Sequence, residues 1–377
     1  MLLNPGKEFD FNGKTEKYPE VKLAYWVGGN PFVHHQDRNR MVEAWKKLET
    51  FIVQDFQWTP TARHADIVLP ATTAFERNDI EAVGDYSSRA IMAMKKVIDP
   101  VFESRTDYDI FAAISEKLGK GNEFTEGKSE MDWIKSFYED ALKQAKEKKI
   151  EMPDFDSFWN GDGVIEFPVT EGKNFVRHAA FREDPLLNPL GTPTGLIEIY
   201  SKNIEKMNYD DCGPHPMWME PAERLGGPTT KYPLHVDTAH PNGRLHSQLC
   251  GTSLRETYQV AGHEPCLINT ADAAQRGIKD GDVVRVFNDR GQILAGAKVS
   301  DAVRPGVLRV SEGGWYDPLE GGKPGTLCRY GDVNVLTMDI GSSKLGQGNC
   351  GHSASADVEK YQGPQVTVEV FSTPKEG

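Results

Sequence analysis

The feature that most constrains the fold is a strand–helix–strand pattern near the start of the chain. Mostly apolar runs at residues 21–27, 51–53 and 65–69 predict three short buried strands. Between the first two, apolar residues at helical spacing from 41 to 48 predict a helix capped by Asp37. A strand, a helix and a second strand in so short a stretch form a βαβ unit, so the sheet is predicted to be parallel.

Polar residues follow each predicted strand. Asn30 lies in the Gly-Gly-Asn-Pro turn that ends the first strand, Gln54 and Asp55 end the second, and Arg77 comes shortly after the third. In open α/β sheets, ligands bind outside the carboxyl ends of the strands. The sequence therefore predicts a nucleotide-like ligand at this edge of the sheet.

Each of these residues also has a purely structural interpretation. The segment around Asn30 can be a tight strand-to-helix turn, and Arg77 can pair with its acidic neighbours instead of binding phosphate with its planar fork. Asp55 can accept two hydrogen bonds from guanine or cap the next loop. The same two interpretations hold for Asp107, which lies where a helix is predicted to begin. The residues alone leave these alternatives open.

Two further helices complete the first predicted domain. Amphipathic spacing predicts helices at residues 107–118 and 130–146, so that residues 1–150 form an α/β region. Residues 151–231 are rich in Pro, Gly and aromatic residues and have poor periodicity. They are predicted to be an irregular connector that wraps the surface.

Residues 232–377 are predicted to be a separate β-barrel domain. Strands dominate this part of the chain, and Asp-Arg-Gly at 289–291 is typical of a hairpin turn. The predicted strands are residues 283–288, 292–299, 307–310 and 366–371. The predicted fold is thus an α/β parallel-sheet nucleotide-binding region followed by a β-barrel domain.

Two polar loops in this domain are further candidate ligand sites. The segment at 240–248 holds two His, one Arg and one Gln within nine residues, which favours a polar ligand over a plain exposed loop. The segment at 349–352 is a Gly-containing polar loop, for which an ordinary turn is the alternative.

Charge and cysteine spacing exclude several classes of ligand. The formal net charge of −13 repels a polyphosphate backbone, so nucleic acid is not expected as a partner. The five cysteines form no Cys-x-x-Cys, and the adjacent His34 and His35 point in different directions, so no iron–sulfur or metal site is predicted. No apolar run approaches the ~20 residues of a membrane span, and no signal-peptide pattern is present. The chain is therefore expected to be cytoplasmic, or a piece whose targeting segment lies elsewhere.

Together these segments resemble the dimethyl sulfoxide reductase family of molybdopterin oxidoreductases, whose motifs they match in order and spacing across nearly the whole chain. The motifs are Gly-Gly-Asn-Pro at 28–31, Ala-Asp-Ile-Val-Leu-Pro at 65–70, Thr-Pro-Thr-Gly-Leu-Ile-Glu at 192–198, His-Pro-Asn-Gly-Arg-Leu-His-Ser-Gln at 240–248, Asp-Ala-Ala at 272–274, Gly-Ile at 277–278, Gly-Asp-Val-Val at 281–284 and Asn-Asp-Arg-Gly at 288–291. The stretches at 55–60 and 76–81 are similar to the branch that reduces trimethylamine N-oxide and dimethyl sulfoxide. Those at 313–318 and 348–351 favour the N-oxide.

The resemblance implies a cofactor of two molybdopterin guanine dinucleotides around one molybdenum. By match to the family's motifs, the cofactor contacts fall at Asn30, His34, Gln54, Asp55, Arg77, Asp107, Thr238, Ala239, His240, Pro241, Arg244, His246, Ser247, Gln248, Asn334, Gly351 and His352. The family often has Gln where this chain has His352, so that contact differs in detail.

The resemblance also implies oxygen-atom transfer by a longer protein, of which these 377 residues are the C-terminal half. In this branch a serine from the first half binds molybdenum, so no metal ligand and no catalytic residue are assigned here, and the chain alone is expected to be inactive. The whole enzyme is expected to be periplasmic, to take electrons from a c-type cytochrome and to reduce trimethylamine N-oxide to trimethylamine. The alternatives are a dimethyl sulfoxide or biotin sulfoxide reductase, or a non-catalytic pterin-nucleotide-binding module.

Overall fold

The computed structural model describes residues 1–83, 89–168, 175–228 and 231–374. Their contacts divide the chain into two compact units. The first unit is Met1–Val68 with Ile199–Gly377, and the second unit is Leu69–Glu198. This division differs from the boundaries after residues 150 and 231 that the sequence predicts.

The elements are numbered along the chain. The strands are β1 (Glu8–Phe11), β2 (Lys14–Lys17), β3 (Leu23–Val27), β4 (Thr50–Asp55), β5 (Ile67–Pro70), β6 (Asp79–Ala82), β7 (Ala90–Met94), β8 (Val164–Glu166), β9 (Leu234–Asp237), β10 (Pro265–Ile268), β11 (Val283–Phe287), β12 (Gln292–Val299), β13 (Val307–Val310) and β14 (Ala354–Lys360). The helices are α1 (Pro31–His34), α2 (Arg38–Trp45), α3 (Asp107–Lys117), α4 (Gly121–Thr125), α5 (Glu130–Glu147), α6 (Phe155–Asn160), α7 (Ala179–Glu183), α8 (Lys202–Met207) and α9 (Thr270–Gln275).

The predicted parallel sheet is confirmed. Strands β3 and β4 run parallel, with Leu23 opposite Thr50 and Val27 opposite Gln54, and the sheet has the order β3-β4-β5. The predicted cap of α2 is also confirmed, because the Asp37 carboxylate accepts a hydrogen bond from the backbone N–H of Arg40 at 3.1 Å. The loops after β3 and β4 thus lie at the same edge of the sheet, as expected of parallel strands.

The predicted β-barrel is confirmed as a closed barrel of six strands in the order β10-β12-β11-β14-β9-β13. Strands β12 and β13 have the predicted bounds, and β11 pairs antiparallel with β12 across the predicted hairpin turn. In that turn the backbone N–H of Asn288 donates to the carbonyl of Gly291 at 3.0 Å.

The strand predicted at residues 366–371 is wrong. The barrel is closed instead by β14, which pairs with β11 and β9. In this segment Val366, Val368 and Val370 are more buried than the residues between them, and Val370 packs with Trp315 and Tyr330. One-sided packing therefore produced a strand-like pattern without the ladder of hydrogen bonds that defines a strand.

The barrel shares its core with the first residues of the chain. Phe32, Met41 and Val53 belong to the same buried cluster as Val286 and Leu308 of the barrel. This common core explains why residues 1–68 group with the barrel and not with the helices that follow them in sequence.

The second unit has a sheet of its own, in which β7 pairs antiparallel with β6 and with β8. Helices α3 and α5 confirm the two predicted amphipathic helices within one residue at each end. The interpretation of Asp107 as a helix cap is wrong, because the cap is Thr106, whose hydroxyl accepts from the backbone N–H of Asp109 at 3.0 Å.

The described residues between 151 and 231 are less irregular than predicted. They include β8 and helices α6, α7 and α8. Phe158 of α6 stacks on Tyr138 of α5 with ring centroids 4.5 Å apart, and the Tyr138 hydroxyl donates to the carbonyl of Pro153 at 2.8 Å. Elements this short are held by such contacts with partners, so their sequence shows little periodicity. No helix of the described ranges is long and apolar enough to cross a membrane.

Candidate functional site

The turn after β3 places a buried amide donor at the ligand-binding edge of the sheet. Gly28 and Gly29 both have positive φ, 61° and 74°, a conformation that glycine adopts without strain. They lead into Asn30, whose Oδ1 accepts from the Thr61 hydroxyl at 2.6 Å. Its Nδ2 is buried and has no hydrogen-bond partner among the described residues. A buried donor without an acceptor is costly, so this atom indicates a ligand that supplies one.

Gln54 and Asp55 end β4 beside this turn and are both buried. The Tyr25 hydroxyl donates to Gln54 Oε1. Asp55 Oδ1 accepts from the backbone N–H groups of Phe56 at 2.7 Å and Gln57 at 3.3 Å. The loop-capping role of Asp55 is therefore present in the structure, and its contact with guanine stays a prediction.

His34 is held in its neutral form. The His34 ring is exposed at one side and only partly desolvated, and this desolvation, together with the neighbouring His35, Arg38 and His246, lowers its pKa to about 4. The backbone N–H of Asn30 donates to His34 Nε2 at 3.3 Å, which requires an unprotonated Nε2. Val33 of the helix that follows this turn packs in the same buried cluster as Cys250, just after the barrel loop at 240–248.

The barrel loops are organised around one buried ion pair. The Arg244 guanidinium lies 3.2 Å from Glu264 Oε1, and both side chains are almost fully buried. Arg244 also donates from Nε to the carbonyl of His246 at 2.9 Å and from an Nη to the carbonyl of Glu312 at 2.8 Å. Burial raises the pKa of Glu264 to about 7, and the adjacent guanidinium opposes that rise. In this structure Arg244 thus connects two loops, and its cofactor contact stays a prediction.

Around this pair lie the exposed histidines that the sequence singled out. His240 Nδ1 and His246 Nδ1 lie 2.6 Å and 2.8 Å from the same oxygen of Glu312. The ligand atoms of these three side chains lie within 4.8 Å of one another. Sequence reasoning missed Glu312, because it is more than 60 residues away from both histidines and belongs to no motif.

The remaining predicted contacts of the barrel lie on neighbouring loops. The Thr238 hydroxyl is 3.2 Å from His352 Nδ1, and a Cβ on Gly351 would lie 3.4 Å from that hydroxyl. Asn334 is buried, and its amide donates to the carbonyl of Val33 at 2.7 Å. Ala239, Pro241 and Ser247 are half-buried, and Gln248 is exposed. The structure therefore brings the predicted residues of the barrel into loops beside β9, with Asn334 bound to the backbone of α1.

Arg77 and Asp107 belong to the second unit and line one cavity there. Its volume is 440 Å³, within the usual range for small-molecule sites, and its walls carry Arg77, Asn78, Asp79, Asp107, Tyr108, Phe124, Glu130, Trp133, Ile134 and Phe137. Arg77 Nε lies 3.4 Å from Asp79 Oδ2, and another guanidinium nitrogen donates to the carbonyl of Thr72 at 3.3 Å. The ion pair with an acidic neighbour is therefore present, but so is an aromatic cavity that both predicted residues face.

A half-buried histidine near this edge, His64, predicts a loss of stability in acid. His64 stacks on Phe32 with ring centroids 4.2 Å apart and donates from Nδ1 to the carbonyl of Pro60 at 2.7 Å. Burial lowers the pKa of His64 from 6.5 to about 4. The unfolded chain therefore takes up a proton as the pH falls below 6.5, whereas the folded chain resists it until about 4. We expect the free energy of unfolding to fall across this window by up to about 3 kcal/mol from this residue.

Denaturant unfolding at a series of pH values measures this effect. His64→Phe keeps a stacking ring that cannot be protonated, so its stability should depend less on pH between 4 and 6.5. His178→Phe, at an exposed position, is the matched control and should leave the slope unchanged. Equal slopes for wild type and His64→Phe would contradict the prediction.

Comparison with known proteins supplies the family. A model described as molybdopterin oxidoreductase matches residues 3–117, and one described as a molybdopterin dinucleotide-binding domain matches residues 234–355. The chain is 74% identical, over 375 residues, to the dimethyl sulfoxide/trimethylamine N-oxide reductase of Cereibacter sphaeroides. The chain belongs to the molybdopterin oxidoreductases. That alignment covers 100% of this chain and 46% of the relative.

Other relatives agree with this assignment. This molybdopterin oxidoreductase chain is 54% identical to trimethylamine-N-oxide reductase 1 of Escherichia coli K12 over 97% of its own length and 44% of that protein. The chain thus spans less than half the length of the curated relatives it matches. A solved structure, acetylene hydratase from Pelobacter acetylenicus, matches with a TM-score of 0.65 and 18% identity over 91% of this chain and 45% of that one, and it shows the fold alone.

The residues of this molybdopterin oxidoreductase chain fit the cofactor that the family implies, bis(molybdopterin guanine dinucleotide) molybdenum. Every predicted contact from Asn30 to Asp107 lies inside the first family match, and every one from Thr238 to His352 lies inside the dinucleotide-binding match. The unpartnered Asn30 amide and the glycines before it are what a closely approaching polar ligand requires.

Proposed function

We propose that this chain holds molybdopterin guanine dinucleotide in a molybdenum reductase, and that the whole protein reduces trimethylamine N-oxide to trimethylamine. The carrying observation is the 74% identity, along 100% of the chain, to a relative named for both dimethyl sulfoxide and trimethylamine N-oxide. Relatives named for trimethylamine N-oxide alone are 51–54% identical. Dimethyl sulfoxide is therefore the second candidate substrate.

The bound cofactor supplies the redox chemistry, in which the N-oxide, two electrons and two protons give trimethylamine and water. The residues of this chain bind and orient the cofactor. The Asn30 amide offers a buried donor, and the Arg77 guanidinium can bond a phosphate bidentately. The aromatic side chains that line the Arg77 cavity offer faces on which a base can stack.

The proposal extends to parts outside these residues. We place the whole protein in the periplasm, in anaerobic respiration, with a c-type cytochrome as electron donor. The N-terminal half of the same enzyme would contribute the serine that binds molybdenum and most of the substrate funnel. The support is the family resemblance, together with relatives more than twice as long as the aligned segment.

The test compares the 377-residue chain with the full-length protein, both purified from cells that make the cofactor. Full-length protein should oxidise reduced viologen with trimethylamine N-oxide and with dimethyl sulfoxide, and the chain alone should show no turnover. Protein from cells unable to make the cofactor is the control. A full-length protein that retains the dinucleotide but reduces neither oxide would be a non-catalytic binding module instead.

Arg77→Ala in the full-length protein should weaken cofactor binding. Loss of a charge-assisted hydrogen bond to a phosphate costs about 1.5–3 kcal/mol, or roughly ten- to a hundredfold in affinity. Guanine and molybdenum content should fall while the circular dichroism spectrum stays the same. The matched control is Arg105→Ala, an exposed arginine of the same unit that does not line the cavity. Full occupancy in Arg77→Ala would leave Arg77 as a partner of Asp79 only.

At least one of Asp55 and Asp107 is expected to read the guanine base. A carboxylate accepts from the adjacent N1–H and amino groups of guanine, whereas Asn would place a donor against a donor. The test prepares the full-length apo-protein of Asp55→Asn and of Asp107→Asn, and loads each variant with the guanine form and, separately, with the cytosine form of the cofactor. The variant of the reading residue should lose the preference for guanine. If both keep it, neither aspartate reads the base.

A further inference from the structure

Strand β3 lies at an open edge of its sheet. The order β3-β4-β5 puts the first strand at one end, and the described residues contain no strand on its other side. The Gly28 N–H donates to the carbonyl of Gln54 at 2.9 Å, and the Lys22 carbonyl accepts from the first residue of β4 at 3.2 Å. Backbone groups alternate in direction along a strand, so those of Leu23 and Val27 point away from β4 to the open side. An edge of this kind is a template on which another strand can pair.

One face of the same sheet is also exposed. Phe51 and Val53 of β4 are buried in the core that is shared with the barrel. On the opposite face, Leu23 and Val27 are 52% and 46% exposed, and Ile52 of β4 is only half-buried. Parallel sheets occur almost only with both faces covered. In the part of the chain that the structure describes, this sheet therefore has an open edge and an exposed apolar face.

The strand order indicates what would complete the sheet. A doubly wound sheet has two halves in the order 3-2-1-4-5-6, and a dinucleotide binds where the order reverses, beside strand 1. Strands β5, β4 and β3 have the order of one such half, so the reversal falls at the free edge of β3. The turn after β3 holds the buried Nδ2 of Asn30, which has no partner among the described residues, as expected beside such a crevice.

The relatives contain enough additional chain to supply the second half. The alignment covers 46% of the 74% identical relative, so more than half of that protein lies outside its match to this chain. We propose that the N-terminal half of the longer protein completes this sheet, with one of its strands parallel to β3 along the free edge and one of its helices over Leu23 and Val27. A second copy of the chain fits less well, since two β3 edges related by a twofold axis pair antiparallel. The inference rests on the proposed function, because it requires the longer protein, but it needs no bound cofactor.

Amide hydrogen exchange in the full-length protein tests the added strand. If a strand pairs there, the amides of Leu23 and Val27 should exchange within about tenfold of those of Ala24 and Trp26, which face β4. If β3 is an edge strand, the two outward amides should exchange as fast as those of exposed loops. Apo-protein, from cells unable to make the cofactor, should give the same result as holoenzyme.

Photo-leucine, a diazirine analogue close to leucine in shape, identifies what covers the exposed face. Incorporated in the full-length protein, it should link Leu23 on irradiation to a peptide of the N-terminal half, which mass spectrometry identifies. The matched control is Leu319, which is 48% exposed but lies outside this sheet, and it should not link to the same peptide.

The inference is overturned by fast exchange of the Leu23 and Val27 amides, or by a link from Leu23 only to residues of this chain. Protection that disappears on dilution would also overturn it, because it would assign the edge to a second copy. A full-length protein with a protected β3 but no guanine dinucleotide would refute the proposed function and leave the shared sheet intact.

Discussion

Arg38→Met should lower the free energy of unfolding of the chain by about 3–5 kcal/mol, the cost of leaving a buried charge without its partner. Arg38 Nε lies 2.8 Å from Asp332 Oδ2, and the two side chains are 0% and 1% exposed. Arg38 also donates to the carbonyl of Pro31 at 2.9 Å. Burial already raises the pKa of Asp332, and the guanidinium is what opposes that rise. Without Arg38, the carboxylate must ionise unpaired in the core or take up a proton.

Denaturant midpoints measure this prediction, and the chain supplies a control. Arg40 lies on the same helix and pairs with Asp339 at the surface. Arg40→Met should cost at most about 1 kcal/mol, as exposed ion pairs do. The double variant Arg38→Met with Asp332→Asn should recover part of the loss, because it removes both charges. Equal midpoints for Arg38→Met and Arg40→Met would show that the buried pair does not stabilise the fold.

Gly313→Ala should destabilise the chain by about 2–5 kcal/mol, the combined cost of a left-handed backbone and an overpacked contact. Gly313 has a φ of +87°, and the added Cβ would lie 2.1 Å from the carbonyl oxygen of His246 and 2.8 Å from the nitrogen of Ser247. Both neighbours are backbone atoms, so the loop at 240–248 must move to make room. The substitution should therefore weaken cofactor binding as well as the fold.

Gly325→Ala separates the two costs. Gly325 has a similar φ of +79°, but nothing lies within 4 Å of its added Cβ. Gly325→Ala should therefore lower the free energy of unfolding by only about 1–2 kcal/mol, the cost of the left-handed backbone alone. Thermal or denaturant unfolding of both variants gives the comparison. If the two substitutions cost the same, the close approach of Gly313 to His246 has no energetic consequence.

The sequence predicted best those elements whose pattern is local. Strand β12 and the turn before it were predicted to the residue, because an apolar run and an Asn-Asp-Arg-Gly turn need no distant partner. Strand β14 was missed because most side chains of Ala354–Lys360 are small or charged. The segment becomes a strand only by pairing with β9 and β11. The cap of α3 was misplaced by one residue, from Thr106 to Asp107, because both residue types favour that position.

The same distinction between local and distant information applies to the residues of the candidate site. Family motifs located Asn30, Arg77 and the histidines of the barrel loop. They could not locate Glu312, because its role exists only once two loops far apart in sequence have met. Nor could they show that Arg77 and Asp107 share a cavity, since the two residues belong to separate motifs far apart in the sequence. Distances in space, and not residue types, supplied what was missing.

The core that residues 1–68 share with the barrel has a consequence for synthesis of the chain on the ribosome. Phe32, Phe51 and Val53 emerge early, but their partners Val236, Val286 and Leu308 are made after the whole second unit. At ~5–20 residues per second, the first of these partners follows roughly 10–40 s later. The contacts of Leu69–Glu198 are all available well before that, so this later segment can finish folding while the earlier one still waits. During that interval the waiting apolar side chains are open to other nascent chains or to chaperones, and termination within the barrel leaves them permanently uncovered.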